Sequence, residues 1–183
     1  MSRGEGTAGG GQPPSAVPPA KPAQHVYKRN LPHYQRPSTT YFFTFATKNR
    51  RALPEDARGL VLASCIHDHG RSYVLHAAVV MPDHVHLLLT PLVDHEGNTY
   101  GLAQIMSGIK GASAHTVNRA LRRSGSLWQA ESFDRLVRSD ESLREKAEYI
   151  CANPVRAGLV DTEDEYPWLW REWIEGAASV TKT

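Results

Sequence analysis

The sequence predicts an α+β domain in which helices cover the faces of an antiparallel sheet. Three features lead to this class: short runs rich in β-branched and aromatic residues, longer runs with apolar residues at helical spacing, and turn-forming residues between them. Their order, β-α-β-β-α-β-α, is that of ferredoxin-like and RRM-like domains with one helix added at the C-terminal end. We expect one such domain over residues 26–175.

Length and composition fit one globular domain of ordinary size with short extensions. The 183 residues are 40% hydrophobic and 22% charged, with a formal net charge of +2. Since no apolar run reaches about eighteen residues and no signal-peptide pattern is present, we expect a cytoplasmic protein without a membrane span. Cys65 and Cys151 are far apart, which favours two buried thiols over a disulfide.

The two ends differ in composition from the middle of the chain. Residues 1–25 contain five of the 14 glycines and five of the 12 prolines, with Val17 as the one bulky aliphatic residue. Such a segment cannot bury enough apolar surface to offset the entropy of ordering, so it is predicted to be a disordered tail. Residues 176–183 are predicted to be a flexible C-terminal tail.

The first half of the domain contains three predicted strands and one helix. The strands cover residues 40–47, 72–80 and 84–90, and the helix covers residues 54–70. Only Met81, Pro82 and Asp83 separate the second strand from the third, which predicts an antiparallel hairpin with a three-residue loop. In that register Val80 lies opposite His84.

The second half contains two predicted helices with a loop and a short strand between them. The first helix covers residues 100–123, the loop and strand cover 126–138, and the last helix follows. The last helix begins at Ser139 or Asp140, either of which is a good N-cap. It is predicted to end at Asn153 because Pro154 comes next.

Two histidines lie one residue apart in the segment MPDHVHLLLT, residues 81–90. Alternate residues of a strand share a face, so His84 and His86 point the same way. A single histidine there would more often be a satisfied core residue, but two unpaired imidazoles are costly to bury, and together they can share one divalent cation. Two nitrogen ligands leave room for oxygen ligands, which favours Mg²⁺ or Mn²⁺ handling phosphate over a closed zinc site.

The last helix offers two oxygen donors on one flank. Tyr149 and Asn153 are one turn apart, and they lie beside a stripe of predicted buried residues formed by Leu143, Ala147, Ile150 and Cys151. A phenol and an amide carbonyl are thus presented side by side. From the residues alone, an amphipathic edge tyrosine and a helix-end asparagine before proline explain the pair more simply.

Five segments of the chain carry a further signal through their content and order. They are TYFFTF at 40–45, VVMPDHVHLLLTP at 79–91, IKGASAHTVNRA at 109–120, LWQAESFDRLVR at 127–138 and YICANPVRAGLV at 149–160. Together they resemble the REP-associated tyrosine transposases, an IS200-like group within the single-tyrosine HUH superfamily. The resemblance covers about residues 34–168, and the combination of PDHVH with YICANPV makes it specific.

The resemblance implies a set of site residues and a reaction. His84 and His86 match the metal ligands of the family, Tyr149 matches its tyrosine nucleophile, and Asn153 falls where the family has a polar third ligand. With Mg²⁺ or Mn²⁺ as cofactor, the implied enzyme cuts a DNA strand, forms a 5′-phosphotyrosine link and releases a 3′-hydroxyl, which can later reverse the step.

The resemblance also implies hairpin-bearing single-stranded DNA as the partner, a nucleoid-associated location, and a monomer or homodimer. From His25 to Leu53 basic and aromatic residues alternate with no acidic residue, which suits strand contact, although a solvated basic edge explains the charge equally well. The candidate DNA contacts are Arg36, Lys48, Arg50, Arg51, Lys110, Arg119, Arg122 and Arg123.

Two other functions fit parts of the pattern. A histidine-triad nucleotide hydrolase also has histidines at alternate positions, but it needs a third one where this chain has Leu88. A non-catalytic nucleic-acid-binding module with an RRM-like fold would use the same surface without chemistry. A covalent protein–DNA adduct that depends on Tyr149 distinguishes the transposase from both.

Overall fold

A computed structural model describes residues 39–138 and 140–172, and it confirms the predicted α+β fold over this part of the chain. The strands are β1 (Thr40–Ala46), β2 (Tyr73–Val80), β3 (His84–Pro91), β4 (Phe133–Val137) and β5 (Leu169–Arg171), and the helices are α1 (Glu55–Ile66), α2 (Leu102–Ala120) and α3 (Asp140–Arg156). The short β5 was not predicted, because three residues show no periodicity. The predicted tails at 1–25 and 176–183, together with Arg36 and Ser139, lie outside the described residues.

The five strands form one antiparallel sheet in the order β4-β1-β3-β2-β5. One face, which we call the closed face, packs against α1 and α2 and contains the larger apolar cluster, including Phe45, Val85 and Leu87. The opposite face packs against α3 through a smaller cluster that includes Leu88 and Ile150. We call it the α3 face. No helix among the residues described above is both long and apolar enough to cross a membrane.

The hairpin between β2 and β3 is tighter than predicted. Val80 lies opposite Val85, and the N–H of Met81 donates to the carbonyl oxygen of His84 over 2.8 Å. Only Pro82 and Asp83 form the turn, since proline has the φ angle that the first central position requires. The predicted pairing of Val80 with His84 is therefore wrong by one residue.

One irregularity in β2 affects the α3 face. The register shifts between Leu75 and Ala77, so His76 is an extra residue in the ladder. The Nε2 atom of His76 lies 2.7 Å from the hydroxyl of Thr90, and that hydroxyl lies 2.7 Å from the hydroxyl of Thr40. His76 is therefore part of a small polar network, and the bulge keeps its side chain on the α3 face.

The helix α3 continues past the predicted end at Asn153. Pro154 cannot donate a backbone hydrogen bond, but it lies in the last turn with its ring buried, so the helix loses one bond and still reaches Arg156. The N–H groups of Ala157 and Leu159 return to carbonyl oxygens of this turn, and the chain leaves the helix at Gly158 with φ of 67°. Asn153 is consequently an interior helical residue.

Candidate active site

The two histidines lie together on the α3 face, as the strand alternation predicted. The ring centroids of His84 and His86 are 4.7 Å apart. His86 is buried at the third residue of β3, whereas His84 is partly exposed at its first residue. The end of β3 therefore presents one sheltered and one accessible imidazole.

Each imidazole is held by a hydrogen bond at Nδ1. The Nδ1 atom of His84 lies 2.6 Å from Oδ1 of Asp83, and that of His86 lies 2.7 Å from the hydroxyl of Thr44. With Nδ1 engaged, Nε2 is the ring nitrogen left for a ligand, and the bond fixes the orientation of the ring. Histidine ligands of metal ions are typically supported in this way, so the pair fits a cation site.

Asp83 is itself held by Arg50, which lies in a strained turn after β1. The Nη1 atom of Arg50 lies 3.1 Å from Oδ2 of Asp83. Arg50 and its neighbour Asn49 have φ angles of 54° and 58°, in the left-handed region that costs a residue other than glycine about 1 kcal/mol or more. Burial opposes ionisation of Asp83, but its bond to His84 and the charges of His84 and Arg50 lower its pKa below the usual value.

His86 is held in its neutral form. Burial, followed by electrostatic interactions with His84 and Arg50, lowers the pKa of His86 to about 3. A neutral imidazole is the form that binds a metal ion. The buried histidine is therefore ready to act as a ligand at physiological pH.

Tyr149 lies directly against the histidine pair. Its ring centroid is 5.7 Å from that of His86 and 6.0 Å from that of Phe42, and 37% of the residue is exposed. Ala147 and Ile150 on the same helix are buried, so Tyr149 lies on the flank of α3 as predicted. A single chain thus brings an accessible phenol into contact with the paired imidazoles.

Asn153 lies one turn beyond Tyr149 on α3. Its Nδ2 atom donates to the carbonyl oxygen of Tyr149 over 3.3 Å, which leaves the side-chain oxygen as the atom that could bind a cation. Within the described ranges, no three His, Cys, Asp or Glu side chains are grouped so that they could hold a metal ion. The role of Asn153 as a third ligand stays a prediction.

Two cations flank the tyrosine ring. The Nζ atom of Lys146 is 6.0 Å from the centroid of Tyr149 and 5.9 Å from that of Phe42, and the Cζ atom of Arg156 is 5.2 Å from the centroid of Tyr149. Neither residue is among those predicted from the sequence. Helical spacing from Tyr149 would have indicated Lys146. Arg156 could not be indicated in this way, because the helix was predicted to end at Asn153.

The structure separates the basic residues that were predicted to contact DNA. Those exposed in and after the turn that follows β1, beside the histidine pair, are Lys48, Arg50 and Arg51. Those exposed at or just beyond the C-terminal end of α2, the helix on the closed face, are Arg119, Arg122 and Arg123. Of the first group, Arg50 reaches the candidate site through its bond to Asp83.

Lys110 differs from the other candidate DNA contacts because it is engaged inside the protein. Its ammonium group donates to the carbonyl oxygens of Gln129 and Ala130 and to the hydroxyl of Ser132, over 2.8, 3.2 and 3.0 Å. Burial lowers the pKa of Lys110 below the usual value. Its visible role is to tie α2 to the segment that precedes β4.

Comparisons with known proteins identify the family that this chain resembles. The sequence profile of the family described as "Transposase IS200 like" matches residues 35–153, a range that includes both histidines and Tyr149. The REP-associated tyrosine transposase of Escherichia coli K12 is 26% identical over 132 residues, which cover 70% of this chain and 74% of that protein. A Haemophilus influenzae protein provisionally given the same name is 24% identical over 151 residues, which cover 75% and 84%.

A solved structure supports the fold independently. It is described as a REP-associated tyrosine transposase bound to a REP hairpin, and it superposes with a TM-score of 0.59 at 23% sequence identity. The superposition covers 76% of this chain and 82% of the solved chain. The likeness extends over most of both molecules and shows that they share a fold.

Proposed function

The chain belongs to the IS200-like transposase family, and from this premise we propose that it cuts and rejoins single-stranded DNA that carries hairpins. The observation that supports this most directly is the contact between Tyr149 and the histidine pair, with ring centroids 5.7 Å apart for Tyr149 and His86. A nucleophile beside a cation-binding pair is the arrangement that phosphodiester chemistry requires. The named relatives, which are REP-associated tyrosine transposases, make hairpin DNA the best candidate substrate.

We propose that Mg²⁺ or Mn²⁺ is the cofactor and that His84, His86 and Asn153 hold it. The fit rests on the two imidazoles, each supported at Nδ1, and on an amide oxygen one helical turn from the tyrosine. Mixed nitrogen and oxygen ligands with open positions suit an ion that also contacts phosphate. When bound, the ion would supply positive charge to the phosphate oxygens and to the departing 3′ oxygen.

In the proposed reaction, the phenolic oxygen of Tyr149 attacks the phosphorus atom. A bond from that oxygen to phosphorus forms, and the bond from phosphorus to the 3′ oxygen breaks. The products are a 5′-phosphotyrosine link and a free 3′-hydroxyl, which receives a proton, while the phenol proton passes to solvent. Reversal on the same or another DNA end rejoins the strand without ATP, because the covalent link retains the energy of the broken bond.

The surroundings of Tyr149 favour this step. A phenol is a weak nucleophile at neutral pH, and both its ionisation and the incoming phosphate add negative charge to the site. Lys146 and Arg156 supply positive charge on the tyrosine ring, at 6.0 and 5.2 Å from its centroid. We therefore assign these two residues the role of stabilising charge as the phosphate is transferred.

The proposed function is tested by trapping the covalent intermediate. End-labelled single-stranded DNA with a hairpin and unpaired flanks is incubated with the full chain and Mg²⁺ or Mn²⁺, and adducts that survive denaturation are counted. We expect an adduct with the native chain and none with Tyr149→Phe, which lacks only the attacking oxygen.

Tyr166→Phe is the matched control. The hydroxyl of Tyr166 donates to the carbonyl oxygen of Val80 over 2.8 Å on the same face of the sheet, so its loss affects stability and not the nucleophile. The adduct should persist in this variant. Tight binding of such hairpins with no adduct from the native chain would instead support the non-catalytic binding module.

A further inference from the structure

Among residues 39–138 and 140–172, no helix covers the part of the α3 face beside the candidate site. The helix α3 packs mainly over β2, β3 and β5, while β1 and β4 extend beyond it. On β4, Phe133 is 57% exposed and Arg135 is also exposed. A phenylalanine with this exposure contributes little to the core, so most of its ring is accessible to a ligand.

The strand register places this phenylalanine in line with the histidine pair. Phe133 lies opposite Thr44 on β1, and Thr44 lies opposite His86 on β3, so the three side chains share one row of the α3 face. Adjacent strands are about 4.8 Å apart, which sets Phe133 roughly 10 Å from His86 along the backbone plane. Neighbouring nucleotides of one DNA strand can span such a distance.

The next row adds positive charge to the same surface. Arg135 lies opposite Phe42, whose ring is 5.4 Å from that of His86 and 6.0 Å from that of Tyr149. An exposed aromatic ring with a cation two residues along the strand is the combination that binds unpaired nucleotides, by base stacking and phosphate contact. Sheets of RRM type bind single strands through exposed aromatic residues in this way.

We propose that Phe133 and Arg135 form a subsite for an unpaired nucleotide next to the phosphate that Tyr149 attacks. The base stacks on Phe133, and Arg135 contacts the backbone of the same strand. This deepens the function proposed above, on which it rests, by naming the edge of the sheet that receives the flank of the substrate. It also assigns a role to an aromatic residue that is 57% exposed on the edge strand.

Leu136 provides a matched control on the same strand. It is 42% exposed, but it lies opposite Tyr41 and therefore on the closed face. A general effect of removing an apolar side chain from this edge strand would be the same for both residues. An effect of stacking would be confined to Phe133.

The test measures equilibrium binding without divalent ions, so that no strand is cut. The probe is hairpin DNA with an unpaired flank in which 2-aminopurine replaces one base at a time, and its fluorescence reports stacking. We expect Phe133→Ala and Phe133→Leu to weaken binding about tenfold and to abolish quenching at one flank position. Phe133→Trp should retain both signals, and Leu136→Ala should match the native chain.

Arg135→Gln should weaken binding less than Phe133→Ala does. It should also reduce the slope of log affinity against log salt concentration by about one, because one phosphate contact is lost. The proposal is overturned if Phe133→Leu binds and quenches like the native chain, or if Leu136→Ala weakens binding equally. It is also overturned if Phe133→Ala changes only the association of two protein chains through β4.

These outcomes are separable from those of the covalent assay. If the native chain forms the tyrosine adduct but Phe133 has no effect on binding, only the subsite fails. If Phe133 controls quenching but no adduct forms, the subsite stands and the catalytic proposal fails.

Discussion

The two faces of the sheet use the same strands for different purposes. On the closed face, β1 and β3 contribute Phe43, Phe45, Val85 and Leu87 to an apolar cluster sealed by α1 and α2. On the α3 face, alternate residues of the same strands include Thr44, His84 and His86, and one helix covers only part of them. The closed face therefore supplies most of the apolar burial, whereas the α3 face combines a smaller apolar cluster with polar side chains.

This division follows from the geometry of a strand. Since successive side chains point to opposite faces, a histidine can replace an apolar residue on one face without removing a contact on the other. Phe42, between Thr40 and Thr44 on β1, illustrates the mixture, because it packs against both the small α3-face cluster and the ring of His86. The comparison predicts that substitutions on the two faces have separable effects on catalysis and on stability.

The largest expected effect is loss of cutting through the histidine pair. His84→Ala and His86→Ala should abolish formation of the covalent adduct, because each removes a proposed ligand, while affinity for hairpin DNA stays within about twofold. His76→Ala is the control, since His76 lies on the same face and bonds to Thr90. Normal cutting by either site variant would show that the ligand assignment is wrong.

On the closed face, the substitution of a buried leucine should affect stability and not the site. Leu87 is fully buried, so Leu87→Ala should lower the free energy of unfolding by about 2–5 kcal/mol in a denaturant titration. Tyr149→Phe and Leu136→Ala, whose residues are both partly exposed, should each change it by less than about 0.5 kcal/mol. A large loss of stability in Tyr149→Phe would mean that the tyrosine is mainly a packing residue.

Of the substitutions at the histidine pair, at Leu87 and at Asp83, the one at Asp83 is expected to have the smallest effect. Asp83→Asn keeps the shape of the side chain but removes the charge that links His84 to Arg50, and losses of this kind typically cost about 10–100-fold in metal affinity or activity. The concentration of Mg²⁺ or Mn²⁺ needed for half-maximal cutting should rise accordingly.

Asp68→Asn is a close control for Asp83→Asn. Asp68 makes the same kind of bond to its neighbour His67, over 2.9 Å, at an exposed position after α1. If the two variants require the same metal concentration as the native chain, Asp83 does not position a ligand.

Local sequence patterns were sufficient to predict the parts of the site that depend on one element. The period of two placed His84 and His86 on one face, and the helical stripe placed Tyr149 on the flank of α3, both as observed. That the same face of the sheet receives α3 was implied by the family resemblance. No pattern within a single strand or helix could have predicted it.

The parts that depend on pairing between elements could not be predicted. Thr44 supports His86 because of the register between β1 and β3, and Arg50 reaches Asp83 because two consecutive residues adopt left-handed φ angles. Arg156 was missed for a local reason, since proline near a helix end was assumed to stop the helix. For Thr44 and Arg50 the deciding interaction lies between segments, and such an interaction does not appear in the local spacing of residues.

The contact between Tyr149 and His86 joins two segments of one polypeptide, and this has a consequence for how the site responds to dilution. Groups tethered by a folded chain meet at the same frequency whether the molecule is abundant or scarce. The contact between the phenol and the imidazoles within one chain is thus independent of protein concentration.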